Sequence, residues 1–182
     1  MPRISSLFGT VRLSFSRGCD DCTDRLEIKM TRILFICHGN ICRSPMAQCI
    51  MQQLVDEAGA ADRFFIDSKA TSTEEIGNEI YPPAKRKLNE MKVPLVPHRA
   101  SQIKKSDYEN FDLLIGMDDE NIRNMKRIFG GATENKIHKI REFTGTTDDV
   151  ADPWYTGNFD ITFDQIHAAC KKLFERLEST IG

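Results

Sequence analysis

The sequence has no apolar run approaching the ~18 residues that a membrane-spanning helix needs, so no membrane partner is expected. It also lacks any block of like charge. Its 25 Lys and Arg stand against 27 Asp and Glu, a net charge of −2, which leaves no field to attract nucleic acid and no charged interaction tail. A Walker loop with its lysine and a Gly-x-Gly-x-x-Gly fingerprint are both missing, which argues against nucleotide binding. The cysteines Cys19, Cys22, Cys37, Cys42, Cys49 and Cys170 are scattered rather than arranged as a disulfide scaffold. With no apolar core of a secretory signal ahead of them, they read as cytosolic thiols, and the protein is expected in the cytoplasm. Cys19 and Cys22 form a CxxC without a second CxxC or paired histidines, so no zinc site is expected there. There is no internal repeat and no low-complexity segment.

What is present fits one domain, since 182 residues with 40% apolar content can bury a core of ordinary size. Residues 1–29 differ from the rest. Arg3, Arg12 and Arg17 lie among serines with no acid before Asp20, a faint likeness to a transit peptide. They read as an N-terminal extension, disordered or a non-native start, with the folded domain at residues 30–182.

The stretch that organises this domain is Ile33 to Pro45. Four apolar residues, Ile33 to Ile36, predict a short buried strand. Ser44-Pro45 predicts a helix start, with Ser44 able to cap it and Pro45 at the first helical position. Between them Cys37 to Arg43 must turn sharply, and successive backbone N–H groups in such a turn form a concave nest above a helix N-terminus. That is a cradle for a tetrahedral dianion. Cys37 stands at its entrance, where a helix N-terminus and a nearby cation both favour a thiolate. Arg43 closes it with a planar fork matched to two phosphate oxygens. The bland alternative, a buried structural cysteine with a surface arginine, leaves Gly39, Asn40, Ser44 and Pro45 arriving together without a reason.

Further along, Met46, Ile50 and Leu54, with Ala47 and Met51, mark an amphipathic helix ending near Gly59. Strands are expected at Phe64–Ser68, Phe111–Met117 and, more weakly, Lys136–Ile140. Pro82-Pro83 begins a helix with Ala84, Leu88 and Met91 on one face. Asp118 is suited to cap a helix that Gly130-Gly131 ends. Residues 71–81 and 144–160 read as loops. Ile166, Cys170, Leu173, Leu177 and Ile181 form one stripe of a closing helix. Alternating short strands and helices predict an α/β, flavodoxin-like three-layer fold, a four-stranded parallel sheet with helices on both faces. The anion loop would lie at the carboxyl end of the first strand, where open sheets place ligands.

Attack by a cysteine on a phosphoryl group needs a proton donor for the leaving oxygen, and later a base for water. Asp152-Pro153-Trp154-Tyr155 offers one: Pro153 restricts Asp152 to an extended backbone, and the two aromatics could flank a flat substrate. A solvated loop aspartate is the competing reading, and Asp148 and Asp149 are further candidates for that.

Cys37-x-Gly39-Asn40-x-Cys42-Arg43-Ser44-Pro45 resembles the signature loop of the low-molecular-weight protein tyrosine phosphatases at every fixed position. The resemblance extends from Met30 to Gly182. It implies phosphomonoester hydrolysis through a cysteinyl-phosphate, with no metal and no cofactor. Cys37 would be nucleophile, Asp152 acid and base, and Arg43 with loop residues His38 to Cys42 and Ser44 the phosphate cradle. Phosphorylated proteins or peptides would be substrates, and inorganic phosphate or similar oxyanions product or inhibitor. It further implies Ser68 and His98 as supports of Asn40, Ile41, Trp154 and Tyr155 as pocket wall, Asp118 and Asn121 as structural, and Cys42 as a partner that could trap oxidised Cys37. Two departures stand out. Glu74 occupies a pocket-wall position that is commonly aromatic in the family, and His98-Arg99-Ala100-Ser101-Gln102 replaces the usual His-x-Ala-Arg-Gln. The alternatives are arginine phosphatase activity, which Glu74 would favour by attracting a guanidinium and the branched Ile41 would oppose, arsenate reduction, and a non-catalytic phosphopeptide-binding module. Arsenate reduction lacks a relay cysteine between Cys49 and Cys170, and the binding module would have lost Cys37 or Asp152.

Overall fold

The computed structural model describes residues 30–131 and 135–181. The reading of residues 1–29 as an extension, and of Cys19 and Cys22 as non-ligands, lies outside those residues. Four parallel strands, β1 (Thr31–Cys37), β2 (Phe64–Ala70), β3 (Leu113–Gly116) and β4 (Ile137–Lys139), form one sheet in the order β2-β1-β3-β4. Among the described residues six α-helices accompany it: α1 (Arg43–Glu57), α2 (Pro82–Glu90), α3 (Asp107–Asn110), α4 (Asp119–Phe129), α5 (Pro153–Thr156) and α6 (Phe159–Ile181). This is the expected α/β, flavodoxin-like arrangement.

The central strand explains its own sequence. Ile33 to Ile36 are fully buried because β1 is covered on both faces, which requires an unbroken apolar run rather than alternation. Ile33 and Phe35 join the core beneath α1 and α6, with Met46, Ile50, Ile166, Cys170 and Leu173. Leu34 and Ile36 point the other way, toward Phe111, Leu114 and Met125 beside α4. Among the described residues no helix is long and apolar enough to cross a membrane.

Several local expectations are corrected. Helix α1 begins at Arg43, with Cys42 at the cap position and no side-chain cap. Ser44 is therefore inside the first turn, and its hydroxyl is committed to the loop instead of to a cap. The first nine residues of α1 are all buried, so its amphipathic character is confined to the second half. Met91 falls just past α2 and is exposed, whereas Ala84 and Leu88 are buried. Strands β3 and β4 are shorter than the spans expected for them, Phe111–Met117 and Lys136–Ile140. The segment 144–160 is not a plain loop: Asp152 caps the short helix α5, accepting the Trp154 N–H at 3.0 Å, and α6 begins at Phe159. The caps of α4 follow expectation, with Asp118 accepting the Asn121 N–H and Gly130 in the left-handed region at φ 87°.

Candidate active site

Parallel strands deliver the site. The carboxyl ends of β1 and β3 are neighbours, so Cys37, the last residue of β1, and Asp118, two residues past β3, reach the same edge of the sheet. A cleft of ≈ 720 Å³ opens there, floored by Cys37, Ile41, Cys42 and Arg43 and walled by Glu74, Asp152, Trp154 and Tyr155.

The loop from Cys37 to Cys42 is held from outside by its carbonyls. The Thr71 and Ser72 N–H groups donate to the Cys37 and His38 carbonyls at 2.9 and 3.0 Å. The Tyr81 N–H donates to the Ile41 carbonyl at 2.8 Å, the Met46 N–H to that of Cys42 at 3.2 Å, and His98 Nε2 to that of Asn40 at 2.7 Å. Every peptide here is trans, so a carbonyl turned outward turns the next N–H the opposite way. The N–H groups of His38, Gly39, Ile41, Cys42 and Arg43 thus face away from the outer supports, toward the side where those residues line the cleft.

Asn40 organises the loop from within. It is fully buried with φ 58°, a backbone conformation that asparagine adopts more readily than most residues. Its Nδ2 donates to Ser44 Oγ and Ser68 Oγ, both at 2.9 Å, and its Oδ1 accepts the Ser101 N–H at 3.1 Å. Ser68 passes its own proton to Gln48 Oε1 at 2.7 Å. Because Ser44 Oγ accepts from Asn40, its proton is free for Cys37 Sγ, 3.1 Å away, and the Asn40 N–H points at the same sulfur from 3.3 Å.

Arg43 is buried and held by two carboxylates. Its Nη1 donates to Asp118 Oδ2 at 2.6 Å, and its Nη2 to Asp152 Oδ2. Burial opposes charge on the guanidinium, but Cys37, Asp152 and Asp118 outweigh it and raise its pKa. Burial, with the negative potential of Cys37 and Asp152, pushes the Cys42 thiol up to about 12 against the pull of Arg43, so Cys42 is a neutral thiol in the same loop as Cys37. Burial also lowers the pKa of His98, against the bond to the Asn40 carbonyl. That carbonyl accepts only, so Nε2 carries the proton.

Glu74 stands on the cleft wall with Oε2 3.1 Å from His38 Nε2, both groups well exposed. Trp154 packs its ring 5.4 Å from that of Tyr81, while Tyr155 projects almost wholly into solvent. Ser68 and His98 do not line the cleft; both touch Asn40. Two contacts were not legible in the sequence. Asp118, read there as structural, also grips Arg43, and Tyr81 ties the loop to the Asp152 segment. The signal for Asp118 is its place just past a strand, but only the strand order brings that strand beside β1.

A sequence model described as low molecular weight phosphotyrosine protein phosphatase matches residues 32–181. The chain belongs to that family. It is 36% identical over 159 residues to the rat low molecular weight phosphotyrosine protein phosphatase, covering 82% of this chain and 98% of that one. The crystal structure of YfkJ from Bacillus subtilis superimposes with a TM-score of 0.80 at 31% identity, over 84% of this chain and 97% of that one. A further solved structure, the YwlE arginine phosphatase in a Cys-to-Ser mutant with a phosphorylated active-site serine, superimposes with a TM-score of 0.73 at 26% identity. It spans 81% of this chain and 96% of that one.

Proposed function

We propose that this family member is a protein tyrosine phosphatase, a hydrolase that removes phosphate from phosphotyrosine and small aryl phosphates through a cysteinyl-phosphate. The observation that carries the reading is the convergence of Cys37 Sγ, the Arg43 fork and the Asp152 carboxyl on one cleft floored by inward-facing amides. Cys37 attacks phosphorus as the thiolate, which the Ser44 hydroxyl and the Asn40 N–H stabilise. The equatorial oxygens are held by the N–H groups of His38, Gly39, Ile41, Cys42 and Arg43 and by the Arg43 guanidinium, which meet the charge of the transition state. Asp152 gives its proton to the leaving phenolate oxygen as the P–O bond breaks. The same carboxylate then takes a proton from water as it attacks the thiophosphate, releasing inorganic phosphate and restoring the thiolate.

The substrates are phosphorylated proteins or peptides, with inorganic phosphate and similar oxyanions as product and inhibitors; nucleic acid and membranes are not partners. Residues 30–182 form the catalytic unit and residues 1–29 lie outside it. The enzyme works in the cytoplasm, where a thiol nucleophile stays reduced.

Glu74 supports a second reading, arginine phosphatase activity, because a carboxylate on the cleft wall can pair with a guanidinium as an aromatic ring cannot. The test is metal-free hydrolysis of 4-nitrophenyl phosphate and a phosphotyrosine peptide by wild type, Cys37→Ser and Asp152→Ala, with a phosphoarginine peptide in parallel. Turnover of the aryl phosphates that Cys37→Ser abolishes and Asp152→Ala cripples upholds the proposal. Preference for phosphoarginine moves the substrate to the second reading. Full activity in Cys37→Ser refutes both.

A further inference from the structure

Lys139, the last residue of β4, is a buried cation outside the cleft. Its Nζ donates to Asp119 Oδ1 at 2.5 Å and to Asp149 Oδ1 at 2.8 Å, and the Asp119 N–H donates to the same Asp149 oxygen at 3.1 Å. The two carboxylates come from different segments. Asp119 opens α4 directly after Asp118, and Asp149 lies three residues before Asp152. One ammonium therefore ties together the two stretches that bring Asp118 and Asp152 onto Arg43.

We infer that Lys139 is a positioning residue for the proton-transfer step, holding residues 149–152 so that the Asp152 carboxyl stays over the cleft. The inference rests on Asp152 being the proton donor. The segment's other ties fall on different groups: the Val150 N–H donates to the Met117 carbonyl at 2.9 Å, the Ala151 N–H to Gln165 Oε1 at 2.9 Å, Thr162 Oγ1 to the Ala151 carbonyl at 2.8 Å, Arg141 Nη1 to the Asp149 carbonyl at 3.3 Å, and Arg43 Nη2 to the Asp152 carboxylate itself. Lys139 is the cation that joins the Asp149 side chain to Asp119 at the start of α4, and its loss does more than remove two hydrogen bonds. Asp118 and Asp152 would keep Arg43, but Asp119 and Asp149 would lose the cation between them, and like charges that close repel. The segment carrying Asp152 is the part free to move away, since Asp118 and Asp119 are anchored in α4. A displacement of roughly 1 Å at a reacting group can cost on the order of 10²-fold in rate.

The dependence of kcat/KM on the leaving group separates positioning of the acid from general damage. A phenolate of high basicity needs the proton from Asp152, whereas 2,4-dinitrophenolate leaves without it. The series is wild type, Lys139→Met, Asp149→Asn and Asp152→Ala, with Arg63→Ala, which breaks the remote ion pair to Glu178, as a stability comparator. Lys139→Met is expected to lose about 10-fold in kcat/KM on phenyl phosphate and no more than about 2-fold on 2,4-dinitrophenyl phosphate, an attenuated copy of Asp152→Ala. Asp149→Asn, which leaves Lys139 paired with Asp119, shifts the ratio in the same direction and decides the matter alone if Lys139→Met does not fold. Equal losses on both substrates, or a ratio unchanged from wild type and Arg63→Ala, overturn the inference. An Asp152→Ala enzyme with no leaving-group dependence overturns the proton-donor role itself, and the role of Lys139 with it.

Discussion

Replacing Asn40 by Ala tests how the loop is held. The side chain makes three buried hydrogen bonds, to Ser44, Ser68 and the Ser101 N–H. Each is worth about 1 kcal/mol net. Ser44 keeps Cys37 and Ser68 keeps Gln48 as neighbours, so the Ser101 N–H is the group that loses its partner outright, at about 1–3 kcal/mol. Alanine at φ 58° adds about 1 kcal/mol, because its Cβ crowds the following carbonyl where asparagine is tolerated. The total is about 4–6 kcal/mol. At about 2–4 °C per kcal/mol for a domain of this size, the melting temperature should fall by roughly 8–24 °C. The assay is thermal unfolding, combined with a double-mutant cycle against Ser68→Ala, in which a coupling of about 1 kcal/mol is expected from the shared bond. Activity should fall further than stability alone explains, since Asn40 also aims its N–H at Cys37. A loss below about 1 kcal/mol, or zero coupling to Ser68, would refute the reasoning that these bonds fix the loop.

Gly116→Ala would place a Cβ 2.9 Å from Met125 Cε, 3.0 Å from Ile122 Cδ1 and 3.1 Å from Asn121 Cβ. Pushing α4 outward should cost about 1–3 kcal/mol in chemical unfolding and, by shifting Asp118, lower kcat/KM as well. Arg43→Lys replaces a fork that spans Asp118 and Asp152 with a point charge, and kcat/KM on 4-nitrophenyl phosphate should fall about 10²–10³-fold with the fold intact by circular dichroism. Burial lowers the His98 pKa below its ordinary 6.5, so the unfolded chain takes up the proton more readily than the folded one. Stability from this group is complete above pH 6.5 and is lost as pH falls through 6.5 toward the folded value; His98→Gln should flatten the decline of melting temperature with acid over that window, and an unchanged decline would count against it.

Much of the fold and the heart of the site are legible in the chain because they are local. Ile33 to Ile36 reads as a short buried strand, and Cys37 to Arg43 compresses candidate nucleophile, turn and cation into seven consecutive residues. Asp152 is a candidate beside its proline and aromatics, and the family resemblance rather than that local pattern prefers it to a solvated loop aspartate. The role of Ser44 is not: a serine before a proline is a good helix cap by local rules, yet the buried Asn40 and Cys37 claim its hydroxyl. The same limit applies to the loop amides, whose direction is imposed by donors from residues 71, 72, 81 and 98.

By itself, then, the sequence determined the candidate chemistry of the Cys37–Arg43 loop and the order of the four strands and four longer helices along the chain, since both depend on neighbours a few residues apart. The tertiary structure alone decided that Asp118 grips Arg43 across 75 positions of sequence and Asp152 across 109, and that Lys139 bridges Asp119 and Asp149. Those contacts exist because β3 pairs with β1 and β4 with β3, a strand order set by packing of the whole core and by no local signal in the residues that meet.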